Sequence, residues 1–251
     1  MLTSFNLDSW LQVNQDYLIM LIPALIALAG GVLAMIWSPS RQTRSLIQHF
    51  AAGVVLAALA VEVLPDIQGE HASGLVIITA FALGSLFMYA MKLWTLQLEA
   101  GAEHGASDNL SHGLVIATFV DIAVDGFIIG AGFAAGGQTG LILALGLSVE
   151  LLFLGLSLAA ENTKGWRIIA LSAALGVTVL VFAILGSWLL AGASHDVIAA
   201  ALAFSAAALL YLVTEELLIE AHEVEEKPVS TLVLFAGFLV FWSIQLLGTR
   251  L

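Results

Sequence analysis

Long apolar segments recur from one end of this chain to the other, and they constrain its fold more than any other feature. A helix needs about 20 apolar residues to cross the hydrocarbon core of a bilayer. Hydrophobic residues make up 61% of the sequence and charged residues only 10%, whereas soluble domains average about 45–50% and about 25%. Helices suit lipid because they satisfy their own backbone hydrogen bonds. The sequence therefore predicts an all-α polytopic membrane protein.

We predict eight transmembrane helices, separated by short polar or glycine-containing breaks. No break is long enough to hold a separate domain, so residues 1–251 are expected to form one helical bundle. The N-terminus has neither the basic start nor the short apolar core of a cleaved signal peptide. The predicted spans are 17–37, 47–66, 73–95, 112–135, 139–160, 166–191, 197–219 and 230–248.

The seven basic residues indicate how such a bundle is oriented in the membrane. In an eight-span topology six of them fall on one side, and Arg250 falls on the other. Short loops that carry Lys and Arg face the cytoplasm, so this topology places both termini outside. A seven- or nine-span topology would scatter the same charges. The six residues are Arg41, Arg44, Lys92, Lys164, Arg167 and Lys227.

Net charge and cysteine content exclude several partners and ligands. The net charge of −12 argues against nucleic acid, because binding to phosphates needs a basic surface. Cysteine is absent, which excludes disulfides and thiolate metal ligands. The lipid bilayer is therefore the partner that the composition predicts.

Three carboxylates lie in the middle of the predicted spans, where a charge is costly and usually functional. Asp121 and Asp125 belong to the fourth span and share one helix face, because they are four residues apart. Glu150 occupies the middle of the fifth span. No Lys or Arg lies at that depth, so these acids must be protonated or hold a cation. The three residues, called here the carboxylate triad, predict a site for a hard divalent cation.

Other polar residues lie nearer the two ends of the bundle. Glu62 in the outer part of the second span and Asp66 at its end are predicted to form an outer entrance. Glu216, Glu220 and His222 lie toward the cytoplasmic end of the seventh span and are predicted to form an inner exit. A solvated helix end explains the glutamates equally well.

Glycines recur in the fourth and fifth spans. Small residues let membrane helices approach closely, so we expect these glycines to mark tight packing that brings the two spans together. They are Gly126, Gly130, Gly132, Gly136 and Gly155.

Two stretches resemble the ZIP family of zinc and iron permeases. FAAGVVLAALAVEVLPDI (50–67) is similar to the family's second helix, in which an acid or histidine is followed by Leu-Leu-Pro-Glu. AFSAAALLYLVTEELLIEAHE (203–223) is similar to the seventh helix, with Tyr near the middle and Glu-Glu and Glu-Ala-His toward the end. Eight spans with both ends outside also match that family.

The fourth and fifth spans depart from the metal motifs of this family, which read His-Asn-x-x-Glu-Gly and His-Glu-x-x-Glu-Gly. DIAVDG (121–126) and ELLFLG (150–155) stand in their places. The triad keeps metal-binding groups at three motif positions. Ile122, Leu151 and Leu154 are apolar where the family's second metal needs ligands, so the resemblance implies that one metal position is kept and the other is lost.

The resemblance implies a transporter that carries zinc, iron or manganese as its substrate toward the cytoplasm. Carboxylates in place of imidazoles favour Mn²⁺ or Fe²⁺ over Zn²⁺ without excluding zinc. Members of the family are thought to work as elevators, in which helices 1, 4, 5 and 6 move against helices 2, 3, 7 and 8, often as dimers. We therefore expect a homodimeric protein of the bacterial inner membrane with no enzymatic activity.

Two other classes of function compete with metal transport. An intramembrane protease is disfavoured, because the HExxH, Gly-x-Gly-Asp and Gly-x-Ser-Gly motifs are all missing from the sequence. A proton-coupled carrier or a sensor that keeps the ZIP fold without transporting metal stays open, because the metal motifs are altered. In that case protons alone would load the buried acids.

Overall fold

The computed structural model describes residues 7–37, 39–102, 112–157, 165–222, 224 and 228–248. Within these ranges all regular structure is helical, and eight helices are long and apolar enough to cross a membrane. The predicted all-α class and the predicted number of spans are thus confirmed. The helices are α1 (Leu7–Ile36), α2 (Arg41–Gly69), α3 (Gly74–Ala102), α4 (His112–Ala135), α5 (Gly137–Ser157), α6 (Trp166–Leu190), α7 (195–222) and α8 (Pro228–Gly248).

The helix boundaries differ from the prediction mainly where a helix continues beyond its apolar segment. α2 begins at Arg41, before the predicted start at 47, because the Ser40 side chain caps it by accepting a hydrogen bond from the backbone N–H of Thr43 at 3.2 Å. α7 likewise continues to His222. Residues 158–160, which the prediction gave to the fifth span, lie outside the described residues.

Two π-helical turns interrupt the long helices, at Leu59–Val63 in α2 and at Val213–Leu217 in α7. Each of them contains a predicted path residue, Glu62 in the first and Glu216 in the second. Such turns inside α-helices often occur at functional sites. Neither was predicted, because one wider turn hardly alters the pattern of apolar residues from which spans are inferred.

The eight helices pack as two groups of four. In the first helix group, α1 packs against α5 and α6, and α4 packs against α5 and α6. In the second helix group, α2 pairs with α8, α3 pairs with α7, and α2 contacts α7. The two groups meet where α2 contacts α5 and where α4 contacts α3 and α7.

Glycines mark the closest helix contacts, and these lie inside the groups. A methyl group added to Gly176 of α6 would lie 2.8 Å from the backbone oxygen of Ala24 in α1. In the second group, a methyl group on Gly84 of α3 would lie 2.8 Å from the backbone oxygen of Phe204 in α7. Every described glycine whose added methyl group would come within 3.0 Å of another helix faces a helix of its own group. Each group is therefore packed tightly within itself.

The glycine at the boundary between the groups is packed less closely than those inside each group. Gly146 of α5 is the described glycine that faces the other group. A methyl group there would lie 3.6 Å from the Cβ of Ala58 in α2 and 3.9 Å from the ring of Phe241 in α8. Both are ordinary van der Waals distances, so Gly146 does not interlock with the other group as the glycines inside each group do.

The glycines singled out in the sequence pack closely, but most of them do not join α4 to α5. Gly126 and Gly130 pack against α6, and Gly155 packs against α1, whereas Gly132 does face α5. Gly136, in the turn between α4 and α5, makes no comparably close contact with another described residue. The prediction of tight packing is therefore confirmed for four glycines, and the predicted partner helix was wrong for three of them.

We predict that Gly176→Ala destabilises the protein, because the new methyl group would press on the backbone of α1. Overpacking of this kind costs about 1–3 kcal/mol, so the midpoint of thermal unfolding in detergent should fall. Gly146→Ala is the matched control, since its methyl group has room. If both variants unfolded at the same temperature, the two-group description of the packing would be wrong.

Candidate metal centre

The carboxylate triad lies between α4 and α5, halfway along both helices. One carboxylate oxygen from each of Asp121, Asp125 and Glu150 lies within 4.8 Å of the other two. Among the described residues, this is the one group of three or more His, Asp or Glu side chains that converge in this way. Oxygens bound to one divalent ion at about 2.0–2.2 Å stand at most about 4.4 Å apart, so small side-chain movements would let the triad share an ion.

The triad is largely closed to solvent. Asp125 is 2% exposed and Glu150 is 6% exposed, and Asp121 is partly buried. Oδ2 of Asp125 is buried and has no hydrogen-bond partner among the described residues. A buried carboxylate oxygen in this position is costly unless a proton or a cation neutralises it.

The neighbouring motif positions have become part of the hydrophobic core. Ile122 and Leu151 are completely or almost completely buried in the main apolar cluster, and Leu154 packs against that cluster. None of these side chains has an atom that can bind a hard cation. The three carboxylates could share one ion, and these neighbouring positions offer no ligand for a second.

A fourth carboxylate approaches the triad from the second helix group. Glu216 lies in the π turn of α7 and interacts electrostatically with Asp125. The assignment of Glu216 to an inner exit stays a prediction. The two carboxylates belong to different helix groups, so their interaction crosses the boundary between the groups.

At the end predicted to face outward, the two entrance residues form hydrogen bonds with residues of other helices. Glu62 is buried, interacts with Asp66, and is hydrogen-bonded to the Gln245 side chain of α8. Asp66 accepts a short hydrogen bond from the hydroxyl of Thr139 in α5. The Asp66–Thr139 hydrogen bond joins the second group to the first and bridges the predicted entrance.

At the opposite end, which is predicted to face the cytoplasm, the predicted exit residue His222 is exposed. It lines an open cavity of about 400 Å³ together with Thr214, Leu218 and Ile219. Glu220 lies in the same last turn of α7, but its side chain is outside the described part of the structure.

Sequence reasoning missed one residue near this exit. His49 in α2 is 4% exposed, and its ring centre lies 5.4 Å from that of His222. The sequence contained a signal, since Ser45, Gln48 and His49 are polar residues near the start of an apolar helix, and all three are buried. Only the packing of α2 against α7 shows which residue His49 meets.

Comparison with known proteins does not identify a family for this chain. No protein-family model matches it, and no curated protein matches it. The case for a function therefore rests on the geometry of the triad and on the arrangement of the helices around it.

We predict that Asp125→Ala abolishes tight Mn²⁺ binding, because it removes the most deeply buried ligand of the triad. Isothermal calorimetry on purified protein should show one tightly bound Mn²⁺ at the triad in the wild type and none in the variant. Glu70→Gln is the control, since that carboxylate pairs with His195 at 2.6 Å at the outer end of the bundle. Unchanged affinity in Asp125→Ala, or two Mn²⁺ ions bound at the triad, would contradict the site.

Proposed function

We propose that this chain is a divalent metal transporter of the ZIP type, which moves zinc, iron or manganese across a membrane toward the cytoplasm. The observation that carries the proposal is the convergence of the triad halfway through a bundle of eight membrane-length helices. Carboxylates inside the membrane are rare and commonly mark ion pathways. The metal is the substrate of this site, and the chain needs no other cofactor for the proposed activity.

The charge of the site supports a divalent ion over a monovalent one. Three ionised carboxylates and one divalent ion leave about one negative charge, and Glu216 adds a further negative group nearby. Because no ligand of the triad is an imidazole or thiolate, the site favours harder ions such as Mn²⁺ and Fe²⁺. Zinc also binds carboxylates and belongs among the expected substrates.

The two helix groups support an elevator-type motion. The triad belongs entirely to the first group, whereas Glu62, Asp66, Glu216 and His222 all belong to the second. Close glycine contacts hold each group together, and the contact at Gly146 between the groups is looser. The first group can therefore carry the ion past the second group as one rigid body.

The contacts at the two ends support an inward-directed stage of this cycle. At the outer end, the hydrogen bond between Thr139 and Asp66 ties the groups together. On the inner side, Glu216 approaches Asp125, and the cavity at His222 is open. An ion leaving the triad would meet Glu216 before it reached the cytoplasm.

The distribution of basic residues supports the direction of transport. Arg41, Arg44, Lys92 and Arg167 lie at the same end of the eight-helix bundle, since the helices alternate in direction. The positive-inside rule assigns this end to the cytoplasm. The proposal therefore places both termini outside and His222 inside, in a bacterial inner membrane, and it includes the homodimer implied by the family resemblance.

Metal uptake into liposomes tests the proposal. Reconstituted wild-type protein should quench a Mn²⁺-sensitive dye inside the vesicles after Mn²⁺ is added outside. Asp125→Asn should slow this uptake at least about tenfold, because a charge-assisted contact is worth about 1.5–3 kcal/mol. Glu70→Gln should transport like the wild type. Equal uptake by Asp125→Asn and the wild type would overturn the proposal.

A proton-coupled carrier or sensor is the second candidate, and the altered motifs at Ile122, Leu151 and Leu154 favour it. In that case pH alone would load the triad. A pH-sensitive dye in the same vesicles separates the two functions. Proton movement without metal and no uptake of Mn²⁺, Fe²⁺ or Zn²⁺ would support the second candidate, whereas metal uptake that depends on Asp125 would exclude it.

A further inference from the structure

A pair of histidines lies at the inner end of the second helix group, apart from the triad. The ring centres of His49 in α2 and His222 in α7 are 5.4 Å apart, and the ring planes are inclined by 60°. His49 is buried, whereas His222 is exposed and lines the inner cavity. The pair thus connects the interior of the bundle with the proposed exit.

Both rings are oriented by the same kind of backbone contact. Nδ1 of His49 lies 2.8 Å from the carbonyl oxygen of Ser45, and Nδ1 of His222 makes a short contact with the carbonyl oxygen of Leu218. A carbonyl oxygen can only accept, so each Nδ1 donates its hydrogen, and in the neutral ring Nε2 carries the lone pair. Metal-binding histidines are commonly held in this way, with a carbonyl on the other ring nitrogen.

A buried hydrogen bond fixes the two helices beside the pair. The hydroxyl of Ser45 donates to the carbonyl oxygen of Ala221 at 2.7 Å. Ser45 lies one turn before His49, and Ala221 directly precedes His222. The bond therefore sets the separation of α2 and α7 at the level of the two rings.

The ring spacing fits two imidazoles bound to one ion. Metal–nitrogen bonds of about 2.0–2.1 Å in a tetrahedral arrangement place two ring centres about 5 Å apart. The 5.4 Å spacing is close to that value. Imidazole ligands suit zinc, iron, copper and nickel, whereas magnesium and calcium prefer oxygen ligands.

The pair also lies on the path from the triad to the cytoplasm. Glu216, which interacts with Asp125, is six residues before His222 on the same helix. At 1.5 Å per residue this is about 9 Å along the axis of α7. An ion that moves from the triad past Glu216 would next reach the two rings.

We propose that His49 and His222 form a second metal site, which takes a transition-metal ion such as Zn²⁺ or Fe²⁺ and passes it to the cytoplasm. Its place on a transport route rests on the proposed function, but its ability to bind metal does not. Oxygen ligands alone accept Mg²⁺ and Ca²⁺, whereas imidazoles disfavour these ions. The pair therefore adds a selectivity step that the triad cannot supply.

Zinc stoichiometry tests this site directly. Purified wild-type protein titrated with Zn²⁺ should bind two ions per chain, one at the triad and one at the histidine pair. His49→Gln and His222→Gln should each lose one ion and keep the ion that depends on Asp125. His195→Gln is the matched control, because this exposed histidine lies at the opposite end of α7.

Co²⁺ gives a second readout, since visible bands of nitrogen-coordinated cobalt should disappear in the two histidine variants and persist in Asp125→Ala.

Each outcome decides a different claim. If each histidine variant still bound two ions per chain, the second site would be overturned. His222 is exposed, so His222→Gln provides this test even if His49→Gln fails to fold. Failure of the triad would appear instead as two ions bound by Asp125→Ala.

Excess Mg²⁺ should displace Zn²⁺ from the triad but leave the cobalt bands of the pair unchanged. Loss of these bands in Mg²⁺ would overturn the selectivity step.

Discussion

Carboxylates buried in the middle of a membrane impose the constraint on which the other features depend. An ionised Asp125 that is 2% exposed cannot be stabilised by bulk water and needs a proton or a cation close by. Asp121 and Glu150 lie at short range, where they could supply further ligands to such a cation. In the proposed transporter, the helices around them must hold three mutually repelling groups together and also leave a route by which the ion enters and leaves.

The packing of the helices meets both requirements. Tight glycine contacts lie within the first helix group, such as that between Gly132 of α4 and Leu143 of α5, whereas Gly146, which faces α2 and α8, makes only ordinary contacts. Polar groups of the second helix group lie along the proposed route at each end. The ligand chemistry changes along this route, from oxygen atoms at the triad and Glu216 to imidazoles at His222 and His49, and this order would favour transition metals over Mg²⁺ and Ca²⁺.

Much of this arrangement could be predicted from the sequence, because its signals are local. Membrane spans need long apolar segments, and acids stand out within them, so the eight helices and the triad were both identified. The shared face of Asp121 and Asp125 follows from the helical period. The distance to Glu150 depends on how α4 packs against α5, so the sequence alone could not establish that the three carboxylates converge, and metal binding by them stays a prediction.

Features that depend on tertiary packing were missed or misplaced. His49 and His222 meet only because α2 lies against α7, and no local pattern links them. Gly126 and Gly130 were assigned to the wrong partner helix, because glycines indicate close packing without indicating against which helix. The π turn that contains Glu216 was not predicted, because the apolar pattern does not reveal it.

The central claim is that the triad binds one divalent ion halfway across the membrane. Anomalous X-ray diffraction from crystals of the Mn²⁺-loaded protein tests it most directly. The account predicts one anomalous peak between Asp121, Asp125 and Glu150, with an oxygen of each about 2.0–2.6 Å from the ion. No peak at this position in saturating Mn²⁺, or a peak bound by other residues at that depth, would contradict it.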